Sequence, residues 1–146
     1  MRSPVKYANR YALAAALALC FAQAGFAATL NIKVSEFDSA TGQLMVQVVA
    51  NEDAYAGRQK PAAARMLNIS ATTPVSLAFA DLPAGKYAVM VIHDKNSNGK
   101  LDSNIIGIPK EGYGFSNNPK VMRQPTFAEA SFDIGKDDLS IAIELR

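Results

Sequence analysis

Apolar and polar residues alternate with a period of two along most of this chain. Leu30, Ile32 and Val34 alternate with Asn31, Lys33 and Ser35. A turn-like stretch, Asp38-Ser39-Ala40-Thr41-Gly42, separates this run from Leu44-Met45-Val46-Gln47-Val48-Val49. Successive side chains of a strand point to opposite faces, so the two runs predict half-buried strands, paired as an antiparallel hairpin. Met66 to Ile69 predicts a weaker strand, and Val75, Leu77 and Phe79 a clearer one. From Lys86 to Ile92 both faces are apolar: Tyr87, Val89 and Val91 on one, Ala88, Met90 and Ile92 on the other. That pattern predicts a central strand covered on both sides. Asp81-Leu82-Pro83-Ala84-Gly85, with a fixed φ at Pro83 and a free one at Gly85, predicts a tight turn feeding that strand. Phe127 to Ile134 predicts another strand, and Leu139, Ile141, Ile143 and Leu145 a last one. The total, about seven short strands separated by turns, predicts an all-β fold, an antiparallel β-sandwich. Alternating strand and helix units are not visible, which argues against a parallel sheet. Ala54 to Arg65 is interrupted by Gly57 and Pro61 and reads as an exposed loop.

The first residues carry a different pattern. Met1 to Arg10 contains Arg2, Lys6 and Arg10 and no acid; Tyr11 to Phe21 is almost wholly apolar; Gly25-Phe26-Ala27 brings small residues. This is the order of a secretory signal peptide, expected over residues 1–27, which leaves a single domain at 28–146 in the periplasm or secreted. The apolar run is shorter than the roughly 20 residues of a membrane span, and no transmembrane span is expected in the mature chain. Cys20, the one cysteine, lies inside this run and follows Leu19, which is not a small residue. The mature domain is therefore expected to form no disulfide and to rest on an ordinary apolar core. The chain has 15 Lys and Arg against 13 Asp and Glu, a formal charge of +2. Three of those bases sit in the leader, so the domain itself carries a slight acid excess. That balance gives no electrostatic case for nucleic acid, nor for an anionic membrane.

One polar stretch stands out. Asp94, Asn96, Asn98, Gly99 and Asp102 form the spacing D-x-N-x-N-G-x-x-D. Oxygen side chains at every second position, with a glycine to permit a sharp bend, are the arrangement of a calcium loop. The candidate metal ligands are Asp94, Asn96, Asn98, the backbone carbonyl of Lys100, and Asp102. The twelfth position, which wants a bidentate Glu, holds Ile105, so calcium is expected to be weak or to recruit Glu111. The competing reading is a scaffold loop, since Asp, Asn and Gly also cap turns through side chain to backbone bonds. Beyond it, Tyr113 and Phe115 stand among glycines and asparagines and read as a cover for the end of the sandwich or as a stacking platform. His93, the only histidine, reads as a structural residue at a strand end. A single imidazole without a thiolate does not make a zinc site, and nothing in the spacing requires a nucleophilic triad with Ser116. A loop this long in a compact domain is usually functional or disordered, and the content of this one is too specific for disorder.

The stretch Asp81-Leu82-Pro83-Ala84-Gly85-Lys86-Tyr87-Ala88-Val89, then His93-Asp94 with Asn96, Asn98-Gly99 and Leu101-Asp102, resembles the signature of an uncharacterised bacterial family of exported proteins, domain of unknown function 2141. Gly107-Ile108-Pro109, Glu111, Tyr113 to Asn118, Pro125-Thr126-Phe127, Ala130 and Phe132 extend the resemblance. It implies an immunoglobulin-like or transthyretin-like sandwich, and no activity. The functional expectation is a binding or interaction module, not an enzyme. Its face is the segment 93–119, with His93, Glu111, Tyr113, Phe115, Asn117 and Asn118 as candidate ligand-binding residues. The expected partner is an envelope protein or a small ligand. Two alternatives stand beside it: a weak calcium-binding structural module of an envelope assembly, and a hydrolase using His93 and nearby carboxylates.

Overall fold

A computed structural model describes residues 27–146. The expected leader, Cys20 included, lies outside the described residues except for Ala27. The chain forms β1 (Ala27–Ser35), β2 (Gln43–Val49), α1 (Glu52–Tyr55), β3 (Ala63–Asn68), β4 (Val75–Pro83), β5 (Gly85–Asp94), β6 (Gly112–Phe115), α2 (Phe127–Ala130), β7 (Phe132–Ile134) and β8 (Leu139–Glu144). Among the described residues no helix is long and apolar enough to cross a membrane.

The strands make two sheets, one ordered β4-β1-β8 and one ordered β3-β2-β5-β6, with β7 also paired to β5. The fold is the expected all-β sandwich, with eight strands where the alternation predicted about seven. Leu30, Ile32 and Val34 of β1 meet Leu44, Val46 and Val48 of β2, Tyr87, Val89 and Val91 of β5, and Ile143 of β8 in one core. Most of the core strands use their even or odd positions alone, which is the period-two rule made physical.

Three expectations are corrected. β1 and β2 are not a hairpin: they lie in different sheets, and residues 36–42 carry the chain from one layer to the other. Phe127 to Ile134 is not one strand, because Phe127–Ala130 is a helical turn and only Phe132–Ile134 pairs. A capping box starts that turn: Thr126 Oγ1 accepts from the Glu129 amide at 3.2 Å, and the Glu129 carboxylate accepts from the Thr126 amide at 2.8 Å. Ala54 to Arg65 is not an exposed loop throughout: Ala54 and Tyr55 are buried, and Ala63 to Arg65 belong to β3.

One pairing departs from the antiparallel rule. β8 runs parallel to β1, from Leu30 opposite Leu139 to Ser35 opposite Glu144. The predicted Pro83–Gly85 turn joins β4 to β5 across the two sheets, and the Tyr87 hydroxyl donates back to the Pro83 carbonyl at 2.9 Å. β5 is central as expected. It pairs with β2 along one side, and on the other it pairs first with β7 at Gly85–Tyr87 and then with β6 at Met90–His93.

Candidate functional site

β5 ends in His93 and Asp94, both fully buried. His93 Nε2 lies 2.8 Å from the Thr41 carbonyl, which can only accept, so the proton sits on Nε2. Nδ1 is left without a hydrogen-bond partner, 3.7 Å from an Asp38 oxygen, and Phe37 packs edge-on against the ring at 5.3 Å. Ser116 is also buried, but it pairs beside Val89. Val89 lies four residues down β5 from His93, about 13 Å at strand rise. These two residues do not form a nucleophile–base pair.

Asp94 opens the polar loop. Its carboxylate accepts from the Asn98 amide at 3.1 Å, the Gly99 amide at 2.7 Å and the Gln43 side chain at 2.9 Å. Burial pushes its pKa up, but the Gln43 donor and the amides of Gly99, Asn98 and Ser97 outweigh it and hold the carboxyl below its ordinary value. Asn96 Oδ1 accepts from the Asn98 amide, and Asn98 Oδ1 from the Lys100 amide. Both side-chain amides then donate to Asp102 Oδ2, at 2.6 and 2.8 Å, and hold that carboxyl low as well. Ser97 and Gly99 take left-handed backbone, at φ 59° and 83°, which closes the loop. Asp94, Asn96, Asn98 and Asp102 are thus brought together around the bend, with their oxygens bonded to amide hydrogens.

Glu111 fixes the far side. Only its two oxygens matter: one accepts from the Lys95 amide at 2.8 Å, the other from the Asp102 amide at 2.9 Å. It pins the start and the end of the loop to one buried carboxylate. Residues 102–110 continue as a narrow two-legged arm. The Lys110 amide donates to the Asp102 carbonyl, Ser103 bridges Pro109, and the Asn104 amide donates to the Ile108 carbonyl. Beside the arm lies a cleft of about 430 Å³, lined in part by Glu36, Asp38, Lys110, Glu111, Tyr113 and Arg146.

Asn117 and Asn118 serve backbone too. The Asn117 side-chain amide donates to the carbonyls of Glu129 and Ser131 at the end of α2. The Asn118 side chain donates to the Ala142 carbonyl at 3.0 Å and accepts from the Glu144 amide at 2.9 Å, both on β8. Of the six candidate ligand-binding residues, His93, Glu111, Asn117 and Asn118 therefore bond the chain itself. Tyr113 and Phe115 are the two left facing outward.

Both belong to β6, a strand the alternation missed. Its other face carries only glycines. A Cβ on Gly114 would lie 2.6 Å from Ile143 Cγ2 and 3.0 Å from the Glu144 carbonyl oxygen, so glycine is what lets β8 approach. Tyr113 and Phe115 continue two rows that cross the whole outer face of the larger sheet. Met66, Met45, Ile92 and Tyr113 stand opposite one another in register, as do Ala64, Gln47, Met90 and Phe115. The third row is closed: Val49 and Ala88 are covered by Ala54 and Tyr55 of α1 and Ala130 of α2. Tyr55 donates to the Pro125 carbonyl at 2.8 Å and packs against the rings of Phe115 and Phe127. The first two rows are only partly covered: Met66 is exposed, whereas Met45, Ile92, Tyr113, Met90 and Phe115 are half-buried, the last two packed against the closed cluster. They hold two shallow apolar depressions, about 200 Å³ between Met45 and Met66 and about 180 Å³ among Met90, Ile92, Leu101, Tyr113, Phe115 and Gln124. The signal for this face was in the sequence, at Met45, Met90 and Ile92 on the non-core side of their strands.

A family model described as an uncharacterized protein conserved in bacteria, DUF2141, matches residues 32–142. No curated protein and no solved structure matches the chain.

Proposed function

The chain belongs to this family of uncharacterised bacterial proteins, and from that premise we propose that it is an exported binding module that works in the cell envelope without chemistry of its own. The segment 93–119 and the outer face it borders are the contact region. The carrying observation is the partly covered, mostly apolar trough formed by Met66, Met45, Ile92 and Tyr113 in one row and Gln47, Met90 and Phe115 in the next, with a shallow depression at each end. It spans four strands, about 14 Å between the outer two. A contiguous apolar surface bounded by polar loops is the usual mark of an interaction site. Methionines repack readily, which suits a surface that receives an apolar segment of a partner protein. The polar groups of the 93–119 segment support the same reading from the other side. His93 Nε2, Asp94, Glu111, Asn117 and Asn118 bond the chain itself and stiffen the segment, which favours a fixed contact surface.

The test is a photo-crosslinking amino acid placed at Met66, and separately at Ser140 on the other sheet, in the native envelope. A discrete adduct from Met66 with none from Ser140 is expected. Adducts of equal yield from both positions, or none from Met66, overturn the reading.

A second reading keeps calcium as a brace. Its support is that the Asn96, Asn98 and Asp102 side chains meet at the bend; the two asparagines present their amide nitrogens to Asp102, so both would turn over to offer oxygens to a cation. A cation would replace the two amide hydrogens there, taking Asp94, Asn96, Asn98, the Lys100 carbonyl and Asp102 as oxygens. A rise in melting temperature in millimolar calcium, absent in Asp102→Ala, is the expected result; an unchanged melting temperature removes the reading.

A further inference from the structure

The arm's tip, outside the trough, has a character of its own. Ile105 is fully exposed, Ile106 is 74% exposed and Ile108 56% exposed, so three isoleucines within four residues stand in water. Scattered surface apolar residues need no explanation, but a cluster at the end of a rigid protrusion does. The protrusion is rigid by construction: its legs are bonded to each other through Asp102, Ser103 and Asn104, and its base is held by the buried Glu111 carboxylate.

The backbone at the tip is closed on itself. The Asn104 side chain accepts from the Ile106 amide at 3.0 Å and the Ile108 amide at 2.9 Å. The Gly107 amide donates to the Asn104 carbonyl at 3.0 Å, and the Asn104 amide to the Ile108 carbonyl at 2.8 Å. Four of the five tip amides are thereby satisfied without water. An amide carried unpaired into an apolar medium is strongly unfavourable, so this closure lowers the cost of leaving water, while the Ile105 amide and the Ile105, Ile106 and Gly107 carbonyls limit the tip to the headgroup boundary, where water still reaches them. Gly107 has φ 80° and nothing within 4 Å of its missing side chain, so the turn faces open space at that position.

We propose that this tip inserts into the surface of a lipid bilayer. Ile105, Ile106 and Ile108 are exposed within four consecutive residues, a small apolar tip that a fluid bilayer interface accommodates without a shaped pocket. Lys100 and Lys110, both exposed, flank the base of the arm, where the phosphates of lipid headgroups lie when an apolar tip is buried 5–10 Å deep. Of the nearby acids, Asp94 and Glu111 are buried, Asp102 is held by the Asn96 and Asn98 amides and Asp38 by Lys95, while the exposed Glu36 shares a cleft with Ile108 and Lys110 and offsets part of the lysine charge. Insertion of the isoleucines drives the binding, and the lysines add to it on an anionic surface. This is a second contact, independent of the trough.

The chain contains no tryptophan, so a single introduced one reports alone. The mature protein carrying Ile106→Trp is mixed with vesicles of phosphatidylcholine, with and without phosphatidylglycerol. Emission moves to shorter wavelength and is quenched by bromines placed in the acyl chains, while Ser140→Trp does neither. Ile105→Asp with Ile106→Asp lowers co-sedimentation by at least about tenfold. Phosphatidylglycerol strengthens binding by up to about fivefold for each lysine engaged. An unshifted Ile106→Trp emission, or wild-type sedimentation of the double Asp variant, overturns the proposal and assigns the tip to a protein contact. The crosslink from Met66 is read in the same double variant: its persistence shows that the trough and the tip act separately.

Discussion

The two sheets share one core and differ on the faces they turn outward. The three-stranded sheet presents Ala78, Asn31 and Ser140 in one row and Ser76, Lys33 and Ala142 in the next. The larger sheet presents methionines, an isoleucine and two aromatics. Core packing explains neither face, because Leu30, Val46, Val89 and Ile143 are fully buried whatever stands outside them. Short polar side chains are what a solvated sheet face requires. The apolar face is half closed by α1 and α2 and half open. The fold completes the closed half by itself, whereas the open half is left for something else.

The largest expected effect lies in the closed half. Tyr55→Ala removes a buried ring and its bond to Pro125, and is expected to lower stability by about 3 kcal/mol in urea denaturation. Ser140→Ala, on the solvated face, should stay within about 0.5 kcal/mol. A Tyr55→Ala loss no larger than that of Ser140→Ala would mean that the two faces are equally dispensable.

Next comes the loop that borders the trough. Asp94→Asn turns one acceptor into a donor facing backbone amides and should cost about 1–3 kcal/mol. Glu111→Gln should cost less and speed hydrogen exchange at Lys95 and Asp102, whose amides it now accepts from. Exchange at wild-type rates would show that the arm does not depend on this carboxylate.

Acid titration gives a smaller, graded effect. The Asp94 carboxyl is held low in the folded protein and returns to about 3.9 when unfolded. The stability it contributes is present above that value and is lost as pH falls through its lower folded value. The wild-type stability should therefore decline below about pH 4, and Asp94→Asn should flatten that part of the curve. Parallel curves would assign the acid sensitivity elsewhere.

The smallest effect is the sharpest test of the open half. Met66→Ser, at a side chain 59% exposed, should change stability by less than about 0.5 kcal/mol. The same change should weaken the crosslinked complex, read with the probe moved to Met45. A variant that binds as before would close the case for the trough's outer edge.

The sequence makes the strands legible wherever one side of the alternation is apolar, as in β1, β4 and β8, or both sides are, as in β5. β6 escapes because Gly112 and Gly114 place no side chain on its core face, so there is no alternation to read. The reason becomes visible only when Ile143 is seen pressed against Gly114. α2 was legible: Thr126 and Glu129 are a capping box three residues apart, and the apolar run that follows obscured it. The layer change between β1 and β2 was not, since alternation fixes which face is buried but not which strand is the neighbour. At the site, the polar residues announced themselves and turned out to bond backbone. The apolar residues showed strand by strand, at Met45, Met90 and Ile92, but not as one row, because its members lie on four strands far apart in sequence.

Asn118 has a consequence for how these molecules meet one another. β8 is an edge strand, and an unpaired edge is a template on which a second chain can add. The Asn118 side chain, with its amide on Ala142 and its carbonyl receiving Glu144, occupies that edge as a one-residue substitute for a strand. Tyr113 and Arg146 exchange backbone bonds beside it, at 3.2 and 3.0 Å. The seam so formed shields this border from stacking against neighbours at high local concentration.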